Sequence, residues 1–123
     1  MEIKNLSPLE LAFIGDAVHT LFVRKQILNG DKKKINDYHK LASLYCRATR
    51  QSKVLDKILS ILSDEEKDIV RRTRNTKIHH SAKNSSSADY KKATCFEALI
   101  GYLYLKKENI KLEEFLKLSM EEM

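Results

Sequence analysis

One proline and three glycines are spread over 123 residues. Proline and glycine are the residues that most readily break or turn a backbone, so this chain has few places to fold back sharply. No segment keeps up the apolar/polar alternation of a half-buried strand, and no pair of apolar runs is joined by a hairpin-type turn. Apolar residues recur instead at helical spacing, which predicts an all-α fold.

The few punctuation marks place the elements. Ser7-Pro8-Leu9-Glu10 combines an N-cap, a proline at the first helical position and a capping-box glutamate. It predicts a helix running to about residue 28 and stopping at Asn29-Gly30. Residues 37–62 carry an apolar stripe of Leu41, Leu44, Val54, Leu55, Ile58, Leu59 and Leu62, and read as one long helix or two shorter ones. Ser63-Asp64-Glu65-Glu66 is a second capping box, opening a short helix to about residue 72. Residues 73–88, polar and basic, have no apolar repeat and predict a loop. Helix returns from about residue 89 to 107, and a terminal amphipathic helix covers roughly 112–122. The length fits a single domain spanning 1–123.

Two of these helices contain an anomaly. The first is apolar almost all round between Leu11 and Val18 except for Asp16, which reads as a buried helix with a carboxylate at its centre. In the later helix, Glu97 is the one charged residue between Ala93 and Leu105. An isolated buried carboxylate is costly, so each must be paired, protonated or bound to a cation. Arg50 or Lys53 could pair with Asp16. Alternatively, the two acids could share a hard divalent cation such as magnesium, which takes one or two carboxylates and completes its shell with water and phosphate oxygens. Small residues flank both acids, Ala12 and Gly15 beside Asp16 and Ala93 and Gly101 beside Glu97, and would let two helix backbones approach closely.

The net charge is +6, and its distribution matters more than its size. Arg71, Arg72, Arg74, Lys77, Lys83, Lys91 and Lys92 face the single acid Asp89 over the stretch 71–92, the footprint of a polyanion partner or of a solvated basic face. With a divalent cation, such a loop suggests hydrolysis of a nucleic acid. No glycine-rich phosphate loop or Ser/His/Asp order is present, and no apolar run is long enough to cross a bilayer. The N-terminal residues lack a signal-peptide layout. Cys46 and Cys95 form no zinc or disulfide pattern and predict free thiols in a reducing cytoplasm. His19 and His39 stand alone and read as structural, while His79 and His80 read as solvated or nucleic-acid-contacting loop residues.

"LAFIGDAV" (11–18) resembles the signature helix of the ribonuclease III family, and "FEALIGYLYL" (96–105) resembles its second acidic helix. "RRTRNTKIHHSAKN" (71–84) is similar to the basic loop of the compact Mini-III group of that family, and no double-stranded-RNA-binding domain accompanies it. The resemblance spans essentially the whole chain. It implies a helical, homodimeric endonuclease that cuts double-stranded RNA with Mg²⁺ and, in the bacterial cytoplasm, trims the ends of the 23S ribosomal RNA precursor. By position it makes Asp16 and Glu97 catalytic metal ligands. It also makes Phe13 a dimer-interface aromatic, although plain core packing suits Phe13 equally. Arg71, Arg72, Arg74, Lys77 and Lys83 would contact phosphates, with Asn75 and Asn84 on sugars or groove edges. The chain departs from full-length ribonuclease III at two positions, carrying Ala12 and Thr94 where that family has further carboxylates. Two rivals follow: an inactive scaffold that binds double-stranded RNA, and a helical DNA-binding protein.

Overall fold

The computed structural model describes residues 1–78 and 86–121. All regular structure among them is helical: α1 (Pro8–Ile27), α2 (Ile35–Cys46), α3 (Ala48–Ile58), α4 (Asp64–Arg74), α5 (Ser87–Leu105) and α6 (Asn109–Leu118), with 3₁₀ turns at Ile3–Asn5 and Leu59–Ile61. The stretch 37–62 is thus two helices, broken at Arg47, whose extended backbone ends α2 and caps α3. Both capping boxes form. The Ser7 hydroxyl accepts from the Glu10 amide while the Glu10 carboxylate accepts from the Ser7 amide, and Ser63 and Glu66 repeat the arrangement. Gly30 takes φ +100° just past α1, a conformation that favours glycine. The basic connection is shorter at both ends than its composition predicts, because α4 runs on to Arg74 and α5 begins at Ser87, capped by the Ser86 hydroxyl.

The two apolar helices pack on each other more extensively than any other pair. A Cβ added at Gly15 would lie 1.7 Å from the Glu97 carbonyl oxygen, and one at Gly101 would lie 2.0 Å from that of Leu11. The two backbones therefore touch at these glycines. The pairing of 11 with 101 and 15 with 97 makes the helices antiparallel.

Their burial differs. α5 is buried on nearly every side from Ala93 to Leu103, and Phe96, Leu99, Ile100 and Leu103 join Val54, Leu55, Ile58 and Phe115 in the main core. α1 is buried on one side only, through Leu11, Gly15, His19, Val23 and Ile27. Its other side leaves Phe13 79% and Leu21 62% exposed. The expectation of a buried α1 is corrected here: its all-round apolar character does not reflect a position inside this core, and Asp16 lies on the exposed side. No described helix is long and apolar enough to cross a membrane.

Candidate metal and nucleic-acid site

The Gly15–Glu97 contact also positions the acids. Asp16 is the residue after Gly15, so the close approach that brings Gly15 onto the Glu97 backbone brings the Asp16 side chain to the Glu97 carboxyl. Burial pushes the Glu97 carboxyl up to about 9, and the adjoining Asp16 carboxyl adds to the shift. An amide hydrogen bond from Gln51 works in the opposite direction.

Neither acid is ion-paired with a described Lys or Arg. Arg50, one of the expected partners, is used elsewhere: its Nε donates to the Ser119 carbonyl at 3.0 Å and its Nη2 to the Glu121 carbonyl at 2.5 Å, at the end of α6. Lys53 is exposed and lies in a groove with Leu41, Leu44 and Tyr45.

The acids open onto a cleft of ≈ 600 Å³ walled by Ala12, Phe13, Gln51, Lys77, Tyr90 and Thr94 among others. Of the residues singled out in the sequence, Asp16, Glu97, Phe13 and Lys77 meet here. Ala12 and Thr94, the two positions without the further carboxylates, also line it, and the Thr94 hydroxyl is turned back to the Tyr90 carbonyl at 2.9 Å. Arg72 lies away from the cleft, in a separate depression with Asp64, Glu65 and Lys106. Arg71 is exposed and pairs with Asp68 on its own helix, Arg74 is exposed, and Asn75 caps the end of α4. Lys83, Asn84, His79 and His80 lie outside the described residues.

Two adjoining carboxyls that form no ion pair among the described residues make a site that a hard divalent ion would relieve. Oxygen donors, a half-buried base and open space for water and phosphate suit magnesium. Zinc, which favours three or four nitrogen or sulfur ligands, suits it poorly. No group of three or more His, Cys, Asp or Glu that could hold a metal occurs among the described residues.

The residue that sequence reasoning missed is Gln51, buried beside Glu97. A signal for it did exist: Gln51 interrupts the stripe Ala48, Leu55, Ile58 at helical spacing, and a polar residue on an apolar stripe needs partners. His19 is one of them. It is fully buried, its Nδ1 lies 3.0 Å from Gln51 Nε2 and its Nε2 lies 3.0 Å from Ser119 Oγ, and burial lowers its pKa to about 4, so the ring is neutral.

The chain is similar to known proteins over most of its length. A family model described as "Ribonuclease III domain" matches residues 9–108. The Mini-ribonuclease 3 of Clostridium tetani is 44% identical over 118 residues, covering 95% of this chain and 78% of that protein. The Mini-ribonuclease 3 of a Thermoanaerobacter species is 45% identical over 117 residues, covering 95% and 82%. A crystal structure of a protein from Fusobacterium nucleatum superimposes with a TM-score of 0.86 at 34% identity, covering 94% of this chain and 93% of that one.

Proposed function

The chain belongs to the ribonuclease III family, in its Mini-ribonuclease 3 branch, and on that premise we propose that it is a magnesium-dependent endonuclease of double-stranded RNA that matures the ends of 23S ribosomal RNA precursor. Residues 1–123 act as one catalytic domain, working as a homodimer in the cytoplasm. The observation that carries the chemistry is the contact of the Asp16 and Glu97 carboxyls at the floor of an open cleft, with no Arg or Lys ion-paired to either among the described residues.

Asp16 and Glu97 would hold the ion, Asp16 from the exposed side of α1 and Glu97 from the half-buried face of α5. Magnesium bound there supplies Lewis-acid polarisation of a phosphodiester, a water more easily deprotonated, and charge compensation for the leaving oxygen. The two carboxylates orient the scissile phosphate by fixing where that charge sits. Lys77, on the cleft wall, neutralises a neighbouring backbone phosphate. Arg71, Arg74, Asn75, Lys83 and Asn84 extend the contact along the duplex, with Arg72 reaching it from the next face of α4. The exposed apolar side of α1, with Phe13 at its centre, supports a second copy docking there, and a two-fold pair would present one acidic cleft to each strand.

The test is cleavage of duplex RNA with and without Mg²⁺. Loss of a group that merely supports a metal ligand commonly costs 10–100-fold, so Asp16→Asn and Glu97→Gln should each lower the rate by more than about 100-fold. Equal cutting by either variant would remove the assigned chemistry. A wild type that binds duplex RNA but never cuts it would make the chain an inactive scaffold, and a preference for duplex DNA would make it a DNA-binding protein.

A further inference from the structure

Gln51 lies in the middle of α3, only 3% exposed, with its amide between two helices that carry the acids. The hydrogen bonds around it have a determined direction. Ser119 Oγ donates its proton to the Leu116 carbonyl at 2.5 Å, so toward His19 it accepts. His19 Nε2 therefore carries the ring proton and donates to Ser119, leaving Nδ1 as an acceptor for Gln51. An amide NH₂ has two protons. One goes to His19, and the other is available to the Glu97 carboxyl, which lines the same cleft beside Gln51. Flipping the amide would turn its carbonyl oxygen toward the His19 Nδ1 lone pair, so the NH₂ group faces His19.

From this geometry we propose that Gln51 is a positioning residue: its amide, oriented by the relay Leu116 carbonyl–Ser119–His19, holds the Glu97 carboxylate in the rotamer that receives a divalent cation together with Asp16. This rests on the reading of Asp16 and Glu97 as the cation site. An amide donor on one side of the carboxylate occupies lone pairs there and leaves the rest of it for a ligand. The relay also ties the site to three separate parts of the chain. His19 stands one turn from Asp16 on α1, Gln51 belongs to α3, and Ser119 follows α6. Arg50, next to Gln51, locks the end of α6 through the Ser119 and Glu121 carbonyls, so the far end of the relay is anchored by the same turn of α3 that reads it out.

The experiment compares wild type with Gln51→Met, which keeps the side-chain length but has no donor. Binding of Mn²⁺ is followed by electron paramagnetic resonance of the free ion, without RNA, alongside thermal melting and cleavage kinetics. The expected result is Mn²⁺ affinity weakened by about 10–100-fold and kcat lowered in parallel, with the retained fold shown by an unchanged melting profile. Unaltered Mn²⁺ affinity in a folded Gln51→Met overturns the proposal. A measurement on wild type covers the case of a variant that does not fold. The Gln51 side-chain amide resonances should shift on Mg²⁺ addition with the same saturation as the metal-binding isotherm, and static resonances overturn the proposal. Wild type and Asp16→Asn binding Mn²⁺ equally poorly would instead overturn the cation site itself, a failure distinct from that of Gln51 alone.

Discussion

Glu97 concentrates the physical conflict of this chain in one side chain. Burial and the Asp16 carboxyl raise its pKa to about 9, far above the 4.5 of a free glutamate. Between those values the folded state holds a proton that the unfolded chain has released, so stability falls as pH rises through the window. His19 acts oppositely below its ordinary value of 6.5, because its folded pKa is about 4 and the unfolded chain takes up the proton first. The two offset each other below pH 6.5, and Glu97 alone acts above it. In EDTA the melting temperature should therefore decline from pH 6.5 to 9, and Glu97→Gln should flatten that decline. Added Mg²⁺ should raise the melting temperature more at pH 8 than at pH 6, since it binds the ionised pair. A wild-type decline unchanged by Glu97→Gln would contradict this. Asp16 and Glu97 were legible in the sequence because a lone charge in an apolar helix needs a reason. Gln51 was legible only as a polar break in the apolar stripe of α3; its partners on α1 and α5 depend on packing.

At the scale of elements, the α1–α5 crossing decides both fold and site. Gly15 and Gly101 meet backbone rather than flexible side chains, so nothing can move aside for a methyl group without parting the helices. Gly15→Ala should cost at least about 2 kcal/mol, measured by urea denaturation, and should also weaken metal binding, because separated helices carry the two carboxyls apart. The capping boxes make a second prediction. Glu10 caps α1 at the surface, and Glu10→Ala should cost about 1 kcal/mol. Glu66 caps α4 while buried and also pairs with Lys111 of α6 at 2.8 Å, so Glu66→Ala should cost about 2–3 kcal/mol by the same measurement. The starts of α1 and α4 could be read directly, since serine, proline and glutamate act within one turn. The break at Arg47 and the extension of α4 to Arg74 could not. Thr73 illustrates why: it looks like loop composition, yet it is fully buried, with its hydroxyl on the Ile69 carbonyl at 2.7 Å.

For the whole molecule, the asymmetry between the two apolar helices is the main departure from the sequence reading. α5 is enclosed by α1, α3, α4 and α6, whereas α1 turns Phe13, Leu21 and Asp16 outward. An aromatic side chain gains roughly 1.5–3 kcal/mol on burial, so leaving Phe13 79% exposed favours association. If copies dock through this side, sedimentation should show a dimer for wild type and a monomer for Phe13→Glu, with the helical circular dichroism of the monomer retained. A wild type that remains monomeric at high concentration would refute the interface. By itself, the sequence determined the helical class, the starts of α1 and α4, the pair of acids and the small residues beside them. These depend on periodicity, capping and composition, which act within a few residues. Only the tertiary structure decided that Gly15 lies on Glu97, that Arg50 serves the end of α6 rather than Asp16, and that Gln51 and His19 stand behind the acids. Each of those depends on which helix faces which across tens of residues of chain, and that choice is made by how the apolar faces pack together.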